Sequence, residues 1–204
     1  MLQIVNNLFY FDPIALIMLS LALFTGICIG TFSHRYMRGD TRYKIFFVYL
    51  ALLILSISTM VCANHIAVLF GGWCISNALL VRLMIHKASW KAAKNSGVIA
   101  ARNYLLGGLC VGSALLLLTL STGETSIKAL THQNLQTAVA LPALLLLLVG
   151  GMTQSAIWPF HRWLVSSLNS PTPVSALMHA GLVNGGGFLL VRFAPLFLDR
   201  KSVV

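Results

Sequence analysis

Six long apolar segments, separated by short polar ones, dominate the pattern of hydrophobic and polar positions along the chain. They cover residues 13–32, 45–62, 66–85, 98–120, 138–158 and 174–198. Each segment is close to the ~20 apolar residues that an α-helix needs to cross a bilayer. The pattern therefore predicts an all-α protein, a polytopic transmembrane helical bundle of about six spans. We expect residues 1–204 to form a single transmembrane domain.

Local signals predict where several of these helices begin or end. Asp12 and Pro13 suit the N-cap and the first position of the first span. Pro159 interrupts the fifth segment, because proline removes a helical donor and clashes with the preceding turn. Pro171 and Pro173 are expected to end another helix, so that the sixth span resumes only after Pro173. The sequence thus predicts a fifth helix broken by proline and a sixth helix whose start is set by two prolines.

The composition favours a membrane protein over a soluble or nucleic-acid-binding one. Hydrophobic residues make up 58% of the chain and charged residues only 9%, against the roughly 25% charged residues of an average soluble domain. The net charge is +10, but the basic residues fall in short segments between apolar runs. Nucleic-acid binding requires them on one exposed face with aromatic residues or a readout motif. We therefore expect membrane lipid around the protein and no nucleic acid.

The basic residues are divided unevenly between the two ends of the predicted bundle. Ten of the fourteen Lys and Arg residues lie in the segments 34–44 and 82–94 or at positions 102 and 162. The positive-inside rule assigns that end to the cytoplasm and both termini to the opposite side. The N-terminus lacks a cationic region before its apolar run, so we expect no cleavable signal peptide.

No motif for a metal, a cofactor or covalent catalysis is found. The cysteines Cys28, Cys62, Cys74 and Cys110 stand singly, with no CxxC and no Cys/His cluster at zinc spacing. The glycines 185–187 lack the strand–turn–helix context of a phosphate loop, and we expect them to serve close helix packing. No nucleophile–base pair is evident, so we expect no enzymatic activity.

His179 and Asn184 are the first candidates for function. Both lie in the sixth apolar segment, where lipid disfavours polar side chains unless they face protein or water. An imidazole can take up and release a proton near physiological pH. We therefore predict a buried His179 on a proton pathway, against the alternative of a structural histidine bonded to a backbone carbonyl.

A second group of candidates surrounds the fifth segment's proline. Gln154, Trp158 and His161 follow a spacing of i, i+4 and i+7, which predicts a shared helix face. Pro159 is expected to leave the carbonyl of Ser155 without its helical donor. A polar stripe beside this break suggests a hydrated half-channel. The alternative is that Gln154 bonds a neighbouring helix and His161 lies at the headgroup interface.

Two strings in this region resemble a known family. The segments QSAIWPFHRWL (154–164) and PTPVSALMHA (171–180) are similar to those of the antiporter-like membrane subunits. That family includes the L subunit of respiratory complex I, the Mrp cation/proton antiporter subunits and the DabB subunits of inorganic-carbon transporters. The likeness also covers residues 11–13, 36–39 and 63–73, and thus nearly the whole chain.

The string HAGLVNGGGFLL (179–190) looks most like the DabB branch. The resemblance implies a proton- or cation-conducting subunit in the bacterial inner membrane, coupling cation flow to inorganic-carbon accumulation. It implies as partner a large zinc-binding, carbonic-anhydrase-like subunit of the DabA type. Two alternatives stay open: a subunit of an NADH:quinone oxidoreductase or of an Mrp-type H+/Na+ antiporter, with the other subunits of that complex as partners, or a truncated remnant that does not transport.

The chain departs from the family at two positions. Complex I relatives place a glutamate directly after the Trp of helix three and a lysine before the Ser-Ala of helix five. Here these positions hold Cys74 and Gln154, which cannot form a charge-coupled pair. Both positions remain candidates for the proton pathway, with His179 as its main titratable residue. The family's members are expected to be more than twice as long, so we expect a truncated chain.

Overall fold

Helices account for the regular structure of the residues that the computed structural model describes, which are 8–87, 89–133 and 135–198. Six of the helical spans in these residues are long and apolar enough to cross a membrane. The all-α, six-span prediction is therefore confirmed. The spans are α1 (Pro13–Tyr36), α2 (Tyr43–Val61), α3 (Ile66–Met84), α4 (Lys91–Thr122), α6 (Thr137–Gln154) and a composite sixth span (Thr172–Phe193).

The sixth span has three parts: α8 (Thr172–Leu177), a π-helical segment (Met178–Leu182) and α9 (Asn184–Phe193). Four short elements join or follow the spans. They are α5 (Ile127–Thr131), α7 (Arg162–Val165), a 3₁₀ turn (Ser166–Asn169) and α10 (Pro195–Leu198).

The spans are arranged around the bundle in chain order. Each packs against the next, α4 most closely against α6 and α2 against α3, and α8 returns to α1. The outward faces stay apolar: Ile17 and Phe24 on α1, and Leu105, Leu116 and Leu120 on α4, are all more than half exposed. Such a surface suits lipid rather than water.

The buried side chains form two apolar clusters. One lies toward the end where α1 begins and includes Ala15, Trp73 and Phe193, and the other lies toward the opposite end and includes Phe46 and Trp163. Lipid tails are as apolar as leucine, so close packing rather than exclusion of water holds these clusters together.

Asp12 and Pro13 begin α1 as predicted. The Asp12 Oδ1 accepts a hydrogen bond from the Ala15 backbone N–H at 2.8 Å, and Pro13 occupies the first turn. Asp12 also forms an ion pair with Arg192, whose Nη2 donates to the Ala63 carbonyl at 3.2 Å. The start of the first span is therefore fixed to the end of the sixth.

The fourth helix begins earlier than its apolar segment. α4 starts at Lys91 rather than near residue 98. Lys and Ala have high helix propensity, so the helix continues beyond the apolar part of the sequence toward water. Lys91 and Lys94 thus belong to the helix, not to a connector.

The break after the fifth span lies before Pro159, so the predicted position is wrong. α6 ends at Gln154, and Ala156 follows in the left-handed region with φ of +52°. The Ile157 N–H donates to the Met152 carbonyl at 3.0 Å, which is the capping bond of a Schellman motif. The chain therefore leaves the helix at Ser155, and the cis Trp158–Pro159 peptide lies in the turn that follows.

The sixth span also begins earlier than predicted. Thr172 is its first residue, Pro171 occupies the N-cap position, and Pro173 lies within the first turn. Proline is tolerated there because the first N–H groups of a helix have no intrahelical acceptor. The expectation that helix resumes only after Pro173 is therefore wrong.

The glycine-rich start of α9 packs closely against α6, as predicted. A Cβ at Gly186 would overlap the Gly151 carbonyl and the Ser155 Oγ, and a Cβ at Gly151 would lie 3.3 Å from the Gly186 carbonyl. A Cβ at Gly187, in contrast, would meet nothing within 4 Å. Gly186 therefore brings the two backbones together, and Gly187 faces outward.

Candidate functional site

Side chains from two elements, α4 and α7, meet at the carbonyl of Thr153, in the last turn of α6. This carbonyl accepts hydrogen bonds from the Asn103 Nδ2 at 2.9 Å and from the Trp163 Nε1 at 3.0 Å. The end of a helix leaves carbonyls without backbone donors, and these side chains supply them. The fully buried Trp163 ring lies 4.9 Å from the ring of Tyr104. The break after α6 is thus fixed against α4.

Gln154 lies at the junction of α6 and α9. Its side chain is 3% exposed, and its Cγ lies 3.5 Å from the position that a Cβ on Gly185 would take. The neighbouring Ser155 Oγ donates to the Val183 carbonyl at 2.8 Å. The Gln154 Oε1 is buried without a hydrogen-bond partner. An unpaired buried amide oxygen is costly, and Gln154 can accept a further hydrogen bond at this junction.

His179 lies in the π-helical segment, where the Val183 N–H donates to the Met178 carbonyl at 3.2 Å. Single π turns inside helices are frequent at functional sites. Met178 and Leu182 take the buried side of the segment, so His179 is exposed on the outer face of this chain. The expectation of a buried histidine is wrong for this chain, because the apolar neighbours occupy the core.

Asn184 lies on the same outer side as His179. It is exposed, and its Nδ2 donates to the Ala180 carbonyl at 3.1 Å. With the exposed Ala180, Gly187 and Val191 it forms one face of the sixth span. We call these five residues the His179 face.

Gln154, Trp158 and His161 do not share a helix face, so that prediction is wrong. The helix ends at Gln154, and the other two residues lie in the turn beyond it, where Trp158 is 77% exposed. With the helix already ended, the carbonyl of Ser155 has no helical donor for Pro159 to remove. His161 is half-buried just before α7, and its Nδ1 lacks a hydrogen-bond partner.

Cys74 lies in a groove between α3 and α4, apart from Gln154 and His179. The groove has a volume of about 560 Å³ and is lined by Cys74, Trp73, Asn77, Tyr104 and Arg82 among apolar side chains. The Trp73 Nε1, the Asn77 Oδ1 and the Tyr104 hydroxyl are buried without hydrogen-bond partners. Water is the natural partner for such atoms.

Sequence reasoning missed several residues of this arrangement. Asn103, Tyr104 and Thr153 were not singled out, although a polar Asn inside the fourth apolar segment is a usable signal. The pairing of Asp12 with Arg192 was also missed, since the N-cap position already accounts for Asp12 locally. Their convergence depends on the folding of distant segments.

The arrangement offers no evident covalent chemistry. No group of three or more His, Cys, Asp or Glu side chains that could hold a metal occurs within residues 8–87, 89–133 and 135–198. Buried polar atoms at Trp73, Asn77, Tyr104 and Gln154 lie on three helices, α3, α4 and α6.

Comparison with known proteins identifies the family. A family model described as "NADH:quinone oxidoreductase/Mrp antiporter, TM" matches residues 63–204, and one described as "NADH-Ubiquinone oxidoreductase (complex I), chain 5 N-terminus" matches residues 5–47. The chain belongs to the NADH:quinone oxidoreductase/Mrp antiporter family. The resemblance drawn from the motifs of residues 154–180 is therefore confirmed.

Individual relatives agree with this assignment. The chain is 34% identical to the probable inorganic carbon transporter subunit DabB of Bacillus subtilis, over 92% of this chain and 38% of the relative. It is 32% identical to DabB1 of Halothiobacillus neapolitanus, over 96% of this chain and 36% of the relative. The chain thus spans well under half the length of these relatives.

A solved structure shows the same fold. The Mrp complex from Dietzia sp. DQ12-45-1b matches with a TM-score of 0.82 and 28% sequence identity, over 91% of this chain and 21% of that one. The six apolar spans and the family together show that this chain is part of a multi-pass membrane protein.

Proposed function

We propose that the chain is a proton- or cation-conducting membrane subunit of an inorganic-carbon uptake complex in the bacterial inner membrane. The observation that carries this proposal is its 34% identity to a DabB protein over 92% of the chain. On this proposal the chain itself is not an enzyme, and its basic end faces the cytoplasm.

The conducting route that we propose uses both sides of the sixth span. Gln154 lies on the inner side with an unpaired Oε1, and His179 lies on the outer side. A π turn leaves a local irregularity in the helical hydrogen bonds, where water can enter. His179 is the group on this route that can gain and lose a proton near physiological pH.

The His179 face supports a role in a larger assembly. An imidazole and an amide that faced lipid would be costly, so such residues almost always face protein or water. We propose that this face is covered in the working complex and that its partner is a DabA-type, zinc-binding subunit. The alternative partners are other subunits of an Mrp or complex I assembly.

The second candidate function is that of an Mrp-type antiporter subunit. The TM-score of 0.82 to an Mrp complex structure favours it. Cys74 and Gln154 weigh against it, because neither can take part in a charge-coupled pair. The third reading, a remnant without transport of its own, predicts that no substitution in the route affects transport.

The test combines copurification with substitution in the native host. The tagged chain is purified from solubilised membranes, and the proteins bound to it are identified. The proposal predicts a large zinc-binding protein among them. Copurification of Mrp or complex I subunits would support the alternative. His179→Ala should abolish growth that depends on bicarbonate uptake, because the titratable group of the route is lost.

The matched control is His132→Ala, which changes an exposed histidine outside the spans. Growth should continue with this variant. Unchanged growth with His179→Ala, in a strain where the chain still recovers its partner, would favour the non-transporting remnant.

A further inference from the structure

A cavity of about 430 Å³ lies at the basic end of the bundle, between the loop after α1, the loop before α4 and the entry to α8. Its lining includes Arg38, Lys87, Trp90, Asn169 and Ser170. The structure brings these residues together from three separate stretches of the chain. We call it the headgroup cavity.

The polar lining of the headgroup cavity favours an anion. Among the described residues, Arg38 and Lys87 form no ion pair. The Ser170 Oγ is buried and has no hydrogen-bond partner, so a donor hydroxyl is available beside two cations. An oxyanion accepts hydrogen bonds from all three groups.

The one carboxylate in the lining is already engaged. The Asp40 Oδ1 accepts from the Arg42 backbone N–H at 2.7 Å and lies 3.2 Å from the His86 Nε2. The Arg42 N–H, the His86 ring and the positive charge of Lys87 lower the pKa of the Asp40 carboxyl below its usual value. Asp40 therefore serves the loop structure, and with Arg38 and Lys87 against this single carboxylate the lining keeps an excess of positive charge.

Two grooves continue from the headgroup cavity along the outside of the bundle. One, on α1, shares Tyr36 with the cavity and includes Phe32 and Arg35. The other, at the start of α4, shares Trp90 with the cavity and includes Lys94 and Val98. Both grooves have cations near the end of the bundle and exposed apolar side chains farther along the span. A phospholipid presents its phosphate and its acyl chains in the same order.

We propose that the headgroup cavity binds the phosphate of an anionic phospholipid, with an acyl chain lying along α1 or α4. Arg38 and Lys87 hold the phosphate, and the Ser170 hydroxyl donates to one of its oxygens. Tyr36 and Trp90, each about half exposed, mark the depth at which aromatic side chains meet headgroups. The site depends on neither the coupling ion nor the partner of the proposed transporter.

The test measures how much phosphatidylglycerol stays bound to the detergent-purified chain, by native mass spectrometry. The Arg38→Gln/Lys87→Gln variant should lower retention by about fivefold for each cation removed. The variant Arg38→Lys/Lys87→Arg keeps both charges and should restore it. Phosphatidylcholine, whose choline cation offsets the phosphate charge, should be retained less than phosphatidylglycerol by the wild-type chain.

The matched control is Lys44→Gln/Arg162→Gln, which removes two exposed cations at the same end that do not line the cavity. Retention should stay at the wild-type level, and circular dichroism should show the same helical content in all variants. Equal loss with the control would overturn the proposal by showing a diffuse charge effect. Saturable binding of inorganic phosphate in competition with phosphatidylglycerol would also overturn it, in favour of a small-anion site.

Discussion

Asp12 has two roles at the start of α1. One carboxylate oxygen caps the helix through the Ala15 N–H, and the other pairs with Arg192. The Arg192 side chain is 5% exposed, and its Nε has no hydrogen-bond partner. The carboxylate is therefore the main compensation for a buried cation, which would otherwise be costly.

Asp12→Asn should separate these two roles. Asparagine caps a helix as well as aspartate does, so the cap is kept while the charge is lost. We expect the chain to be destabilised by about 3 kcal/mol, because a buried Arg192 loses its counter-ion. Thermal unfolding in detergent would measure the change.

The control for this prediction is the double variant Asp12→Asn/Arg192→Leu. Removing both charges leaves no unpaired ion, and much of the lost stability should return. Equal destabilisation of the single and double variants would show that the ion pair contributes little and that Arg192 matters for its packing alone.

At the scale of elements, the contact between α6 and α9 depends on one glycine of three. Gly186 faces the Gly151 carbonyl, while Gly187 faces outward. The order of these glycines along the sequence does not reveal which one is needed. The rotation of α9, set by the π-helical segment before it, decides that.

Gly186→Ala should push α9 away from α6, because the new methyl group overlaps the backbone of Gly151. We expect a loss of about 1–3 kcal/mol, the usual cost of overpacking. Gly187→Ala is the matched control, with the same change one residue later and open space around it. It should be neutral or stabilising, since alanine favours helix more than glycine does. Thermal unfolding would measure both variants. A lower stability of Gly187→Ala than of Gly186→Ala would show that α9 is rotated differently.

The sequence predicts that the spans are helices, but it predicts the first and last residues of these helices less well. Hydropathy locates the apolar part of each span but not the helix around it, which is why α4 begins at Lys91. The end of α6 at Gln154 depends on Ala156 adopting a left-handed conformation, with Asn103 and Trp163 satisfying the Thr153 carbonyl. An alanine in that conformation gives no sequence signal, because glycine normally fills that position.

At the scale of the whole molecule, the unequal distribution of cations predicts the orientation of the bundle. Residues 37–42 and 85–87 lie at one end, and Glu124 lies toward the other. The positive-inside rule then predicts a cytoplasmic location for the first end.

Single cysteines can test this orientation in a background where the native cysteines are replaced by alanine. Lys44→Cys should react with a membrane-impermeant maleimide only after the cells are permeabilised. Glu124→Cys, at the opposite end, should react in intact spheroplasts. Labelling of Lys44→Cys in intact cells would contradict the orientation.

The sequence by itself determined the six spans, the basic end, the cap at Asp12 and the family, because these depend on the local order of residues. Only the tertiary structure decided the outward direction of His179, the separation of Cys74 from Gln154 and the pairing of Asp12 with Arg192. The physical reason is that hydropathy and capping are properties of one segment. The rotation of a helix, and the partner that each polar side chain finds, depend on the segments packed around it.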